Sequence, residues 1–97
     1  MQKLGGLASE VMTDDERFKI TVEIDNNIEL IARTYFEAIP EGGLISRQDI
    51  HNFLYLAYGH VGGGQAEIVF NSVLADFRNN LVYVSSGFVQ GKTYRKT

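Results

Sequence analysis

A chain of 97 residues with 44% hydrophobic and 11% aromatic side chains has the size and composition of one folded domain around one core; two cores and a disordered tail are both excluded. It has no cysteine, which excludes disulfides, zinc fingers and cysteine nucleophiles. A formal charge of −3 argues against a surface that grips nucleic acid on every side, and the lack of a membrane-length apolar run or a signal-peptide layout leads to the expectation of a cytoplasmic protein with no membrane contact.

Residues 1–16 lack sustained periodicity and carry Gly5-Gly6, so they read as a flexible arm ahead of a single domain over residues 17–97. Residues 17–24 alternate, with Phe18, Ile20, Val22 and Ile24 on one side and Arg17, Lys19, Thr21 and Glu23 on the other, which predicts a half-buried strand. The edge of such a strand is a candidate for pairing with a second copy, hence a homodimer through residues 17–24. A helix is the alternative here, because Thr13-x-x-Glu16 has the form of a capping box and Ile20, Ile24, Ile28 and Ile31 recur at helical spacing. The β-branched content of the stretch favours the strand.

A helix is predicted next, capped by Asp25 or Asn26 with Glu29 in its first turn. Ile28, Ile31, Ala32, Tyr35, Phe36 and Ile39 form its apolar stripe, and Pro40 with Gly42-Gly43 stops it. Residues 44–46 make a short apolar step. Ser46 then caps a second helix, with Asp49 at the positive end of its dipole, burying Ile50, Phe53, Leu54 and Ala57 and ending near Gly59. Gly62-Gly63-Gly64 breaks the chain before a third helix, whose stripe is Ala66, Val69, Phe70, Val73, Leu74 and Phe77, with Asn79-Asn80 at its end. LVYV and FVQGKTYRKT then read as the strands of a hairpin whose turn falls at Ser85-Ser86-Gly87 or at Gln90-Gly91.

The fold class expected is therefore α+β, with three helices, a C-terminal β-hairpin and an N-terminal strand. Charge is unevenly spread along it. Residues 1–60 hold ten acidic and five basic side chains, while no acidic residue follows Asp76 and Arg78, Lys92, Arg95 and Lys96 all do. A hairpin carrying those cations would give an acidic molecule one positive edge.

From residue 26 onward, the order helix, short strand, helix, turn, helix, hairpin, with GGLISRQDIHNFL at the second helix, resembles the winged-helix superfamily. The resemblance implies that the third helix enters the DNA major groove and the hairpin contacts the backbone. Gln65, Asn71, Ser72 and Arg78 would then lie on the reading helix and Lys92, Arg95 and Lys96 on the wing. Glu67 and Asp76 depart from that pattern, since both would repel phosphate, and YGHVGGG is a looser connection than good DNA readers use. Many winged-helix domains bind only protein. GLISRQDIHNFL also resembles the second half of an EF-hand loop, but Ala38, Pro40 and Gly42 offer no side-chain oxygen at the earlier ligand positions, so such a hand would hold no calcium.

His51 and His60 have no carboxylate at a metal-binding offset and read as ordinary surface or capping histidines. No nucleophile is paired with a base at a recognisable spacing, so neither an enzyme nor a cofactor or metal site is expected. The function expected is a small DNA-binding regulatory protein. The alternative is a protein-protein interaction module, an adaptor or inhibitor of a larger assembly, using the acidic half and the exposed strand.

Overall fold

Thr13 opens the first helix, and it does so through a reciprocal capping box. Its hydroxyl accepts from the Glu16 N–H at 3.1 Å while its own N–H donates to Glu16 Oε1 at 2.9 Å. Asp14, Asp15 and Glu16 then occupy the first turn of α1 (Asp14–Asp25), where carboxylates meet the positive end of the helix dipole. The strand expected over residues 17–24 is therefore corrected to a helix. On a strand Phe18, Ile20, Val22 and Ile24 would share one face. On α1 Ile24 is buried and Ile20 half-buried, while Phe18 (69% exposed) and Val22 point outward. The local capping pattern and the Ile20/Ile24 spacing outweigh β-branching. With no strand there, the edge through which a homodimer was expected does not exist.

The structure, a computed structural model, describes residues 12–87 and 91–97. Most of the arm expected at residues 1–16 lies outside them, although Asp14–Glu16 belong to α1. After α1 come α2 (Ile28–Ala38), β1 (Leu44–Ser46), α3 (Arg47–Tyr58), α4 (Gln65–Asp76), a 3₁₀ turn (Arg78–Asn80), β2 (Leu81–Gly87) and β3 (Gly91–Lys96). The fold is α+β.

Asn27, not Asp25 or Asn26, holds the N-cap position of α2, and its amide donates backwards to the Glu23 carbonyl at 2.8 Å. Ser46 caps α3 as expected, accepting from the Asp49 N–H at 3.2 Å. Gly59 closes α3 in the left-handed conformation (φ 79°), which a side chain would strain. α4 stops at Asp76, earlier than the Asn79-Asn80 end expected, because the chain tightens into the 3₁₀ turn.

The core is built from one face of each of α2, α3 and α4, with Ile24 from α1 and Ile45 from β1. Ile31, Ala32, Tyr35 and Phe36 meet Ile50 and Leu54 and the α4 residues Ala66, Val69, Phe70 and Val73. Ala57, expected in this core, is exposed. Phe77 stacks on Phe36 with centroids 4.1 Å apart, tying the end of α4 to α2.

The sheet is antiparallel in the order β1-β3-β2, so the last strand is central. Ile45 pairs with Tyr94 and Tyr83 with Tyr94, and a bulge between Tyr83 and Ser85 leaves Val84 without a partner. Ser85, Ser86 and Gly87, one of the turns expected, are in fact strand, paired with Thr93, Lys92 and Gly91; the connecting residues 88–90 lie outside the described residues.

Candidate interaction surface

The expected DNA-reading set is not brought onto one surface. Gln65 is only 2% exposed. Its side chain accepts from the Gly62 N–H at 2.8 Å and donates to the Thr21 carbonyl at 2.9 Å and to Asp25 Oδ1 at 3.0 Å, clamping the glycine loop and α1 to the start of α4. It is a structural residue with no group left for a base edge. Asn71 is exposed and Ser72 half-buried on the outer face of α4, beside exposed Glu67, Ile68, Ala75 and Asp76. That face carries two carboxylates and no cation.

The four C-terminal cations divide by the pleat of β3. Alternation puts Lys92 and Lys96 on the side of Tyr94, which packs against Phe70 of α4 at 6.0 Å between centroids, and puts Arg95 on the opposite, outer side. Lys96 is engaged there. Its ammonium donates to the carbonyls of Phe36 (2.8 Å) and Ile39 (2.7 Å) at the C-terminus of α2 and lies 4.3 Å from the centroid of the Phe36 ring. A cation at the negative end of a helix dipole, over an aromatic face, locks the sheet to the helices. Arg78, Lys92 and Arg95 stay exposed, Arg78 in the 3₁₀ turn just before β2.

The outer side of the sheet is the surface that sequence reasoning missed. Leu44, Arg95 and Val82 lie in one row across the three strands, and the two aliphatic members are 50% and 51% exposed. Tyr83 and Val84 are further exposed apolar residues of β2, Tyr83 on the opposite face, where its ring stands edge-on to Tyr94 at 5.6 Å between centroids. No spacing rule could have found this row, because it exists only once the β1-β3-β2 register is known. A second exposed pair, Tyr55 and Leu56, stands on α3; Leu56 is 89% exposed and was legible as the residue off that helix's stripe.

His51, on α3, and His60, just past its end, line one hollow with Met12, Arg17, Tyr55 and Val61. Arg17 is already turned to Asp14 at 3.3 Å, so the hollow gathers polar groups without a free organised charge. Among the described residues no three His, Cys, Asp or Glu side chains are grouped to hold a metal ion, and no helix is long and apolar enough to cross a membrane. Comparison with protein-family models, with curated proteins and with solved structures found no match.

Proposed function

We propose that this chain is a non-enzymatic protein-interaction domain that meets its partner on the outer face of the sheet and along β2. The row Leu44, Arg95, Val82 carries the reading: a half-exposed aliphatic surface with a guanidinium at its centre. Contiguous apolar surface rimmed by polar groups is what recognition sites offer, and arginine among apolar neighbours is typical of their anchors. The acidic half and residues 17–24, which are helix, do not supply this surface. Its cations instead favour an acidic partner.

The second reading is a DNA-binding regulatory protein. It is supported by the sheet order β1-β3-β2 joined to helix, strand, helix, helix, hairpin, the order that the winged-helix resemblance implies, and by the absence of any carboxylate after Asp76. It has to work without Gln65 and Lys96, which are spent inside the fold, and with Glu67 and Asp76 facing the groove.

A photo-crosslinking side chain placed at Val82, and separately at exposed Ala75 on α4, separates the two. The expected outcome is a protein adduct from position 82 that disappears in Leu44→Asp while the thermal transition stays in place. DNA adducts from position 75, or no adduct at 82, would count against the protein reading.

A further inference from the structure

β2 is the outer strand of the sheet, and its far side is unpaired among the described residues. The hydrogen bonds fix which of its peptide groups point that way. Lys96 donates to the Gly43 carbonyl at 2.9 Å and accepts from the Gly42 N–H at 2.7 Å, so its peptide groups face β1. Thr97, one residue on, donates to the Asn80 carbonyl at 2.9 Å and faces β2. Facing alternates along an antiparallel ladder. Arg95 and Val82 are thus a hydrogen-bonded pair, while Leu81 and Tyr83, opposite Lys96 and Tyr94, turn away from β3: the Leu81 N–H donates to the Arg78 carbonyl of the 3₁₀ turn, which leaves the Leu81 C=O and both peptide groups of Tyr83 on the free side.

An open edge of this kind is a template for another strand, and proteins usually blunt it with charge, proline or shortness. β2 has none of these: LVYVSSG is seven residues with no charged side chain and no proline, and only the irregularity at Val84 interrupts it. The charged side chains of the 3₁₀ turn that leads into β2 and of the strand beside it are all of one sign, Arg78 in the turn and Lys92, Arg95 and Lys96 on β3. A second copy laid against this edge would bring two such sets of cations together. An acidic strand would neutralise one set.

We infer that β2 takes an extended acidic segment of a partner protein as a fourth strand of the sheet. This rests on the protein-interaction reading and deepens it, naming the form and the charge of what docks. Main-chain pairing at the Leu81 C=O and at both peptide groups of Tyr83 supplies the affinity, side chains of the incoming strand lie beside Val82 and Arg95 on the outer face, and their carboxylates meet Arg95 and, at the start of the strand, Arg78.

The test uses the full chain and a short capped peptide in which Glu alternates with Val and Thr. Three control peptides accompany it, one with Lys in place of Glu and two with Glu kept and N-methylated, one on the amides of each edge. The Glu peptide is expected to bind and to slow amide hydrogen exchange at Tyr83, the free donor of the edge. Affinity should fall about tenfold in the Arg78→Glu/Arg95→Glu double variant, and binding to the unaltered chain should weaken with salt. One of the two N-methylated peptides should fail to bind, as should the chain carrying Tyr83→Pro, which removes the free donor. Should that variant misfold, the N-methylated pair gives the same answer on the native chain. No binding of the Glu peptide, equal binding of the Lys peptide, or binding that leaves exchange at Tyr83 unchanged would overturn strand addition. Self-association abolished by N-methyl peptide competition would assign the edge to a second copy instead. Each of these failures leaves the Val82 adduct as the separate measure of whether the domain binds protein at all.

Discussion

Lys96 and Gln65 look alike in the sequence, two polar residues at the ends of a helix-and-hairpin unit, and the structure gives both the same kind of work. Each joins elements distant in sequence: Gln65 reaches Thr21 and Asp25, and Lys96 reaches Phe36 and Ile39. Replacing Lys96 by Met keeps the aliphatic stem but removes two charge-assisted hydrogen bonds and the dipole contact, so chemical denaturation should report a loss of about 1–2 kcal/mol. Tyr35 presents the opposite case. Its ring packs edge-on against Phe53, yet its hydroxyl is buried without a hydrogen-bond partner. Burial, with the nearby Asp49 carboxylate as a lesser cause, pushes this phenol above the ordinary tyrosine value. The folded state therefore keeps a proton that the unfolded chain loses above about pH 10, and the group's contribution, whole below that pH, declines as pH rises. Tyr35→Phe should leave stability at neutral pH unchanged or raised by up to about 1 kcal/mol, and should flatten the alkaline decline in a melting series. A neutral-pH loss of more than about 2 kcal/mol would mean the hydroxyl has a partner.

At the scale of elements, α1 is the one whose nature depends on its first residues. Its sides are not strongly sorted, with Ile24 alone fully buried and Phe18 and Val22 exposed, so its start depends on the Thr13–Glu16 box. The Thr13 backbone N–H, then its hydroxyl, holds the Glu16 carboxyl below the usual carboxylate range, with Lys19 a minor contributor. A lowered pKa stabilises the fold above the unfolded value and is lost as pH falls through the carboxylate range. Far-ultraviolet circular dichroism should accordingly record loss of helix on acidification that is smaller in Glu16→Gln. Thr13→Ala should cost about 1 kcal/mol and speed amide exchange in α1 while leaving α4 protected. The same stretch marks how far the sequence could be read. The α2, α3 and α4 stripes, the Ser46 cap and the hairpin were legible because their periodicity and turn residues agree. Residues 17–24 were not, because a four-step alternation and a helical isoleucine spacing occupy the same residues and only the cap decides between them. The reading set failed for a related reason: Gln65 and Lys96 are polar, but whether a polar side chain faces water or a distant carbonyl depends on packing that no local pattern carries.

For the whole molecule, the uneven charge seen in the sequence survives folding but not as one positive edge. Lys96 is withdrawn to the end of α2, Arg95 faces outward between Leu44 and Val82, and Arg78 and Lys92 flank β2. The helix expected to read DNA shows Glu67 and Asp76 outward, whereas the sheet presents a half-exposed aliphatic row and, among the described residues, leaves the outer edge of β2 unpaired. A domain arranged this way has its hydrophobic and cationic surface together on the sheet, which suits a protein partner of opposite charge. An amide hydrogen-exchange footprint of the complete chain with the partner captured at Val82 tests this most directly. Protection is expected at residues 81–84 and 93–95 with α4 unchanged; protection concentrated on residues 67–76, with the sheet exchanging as in the free protein, would contradict it.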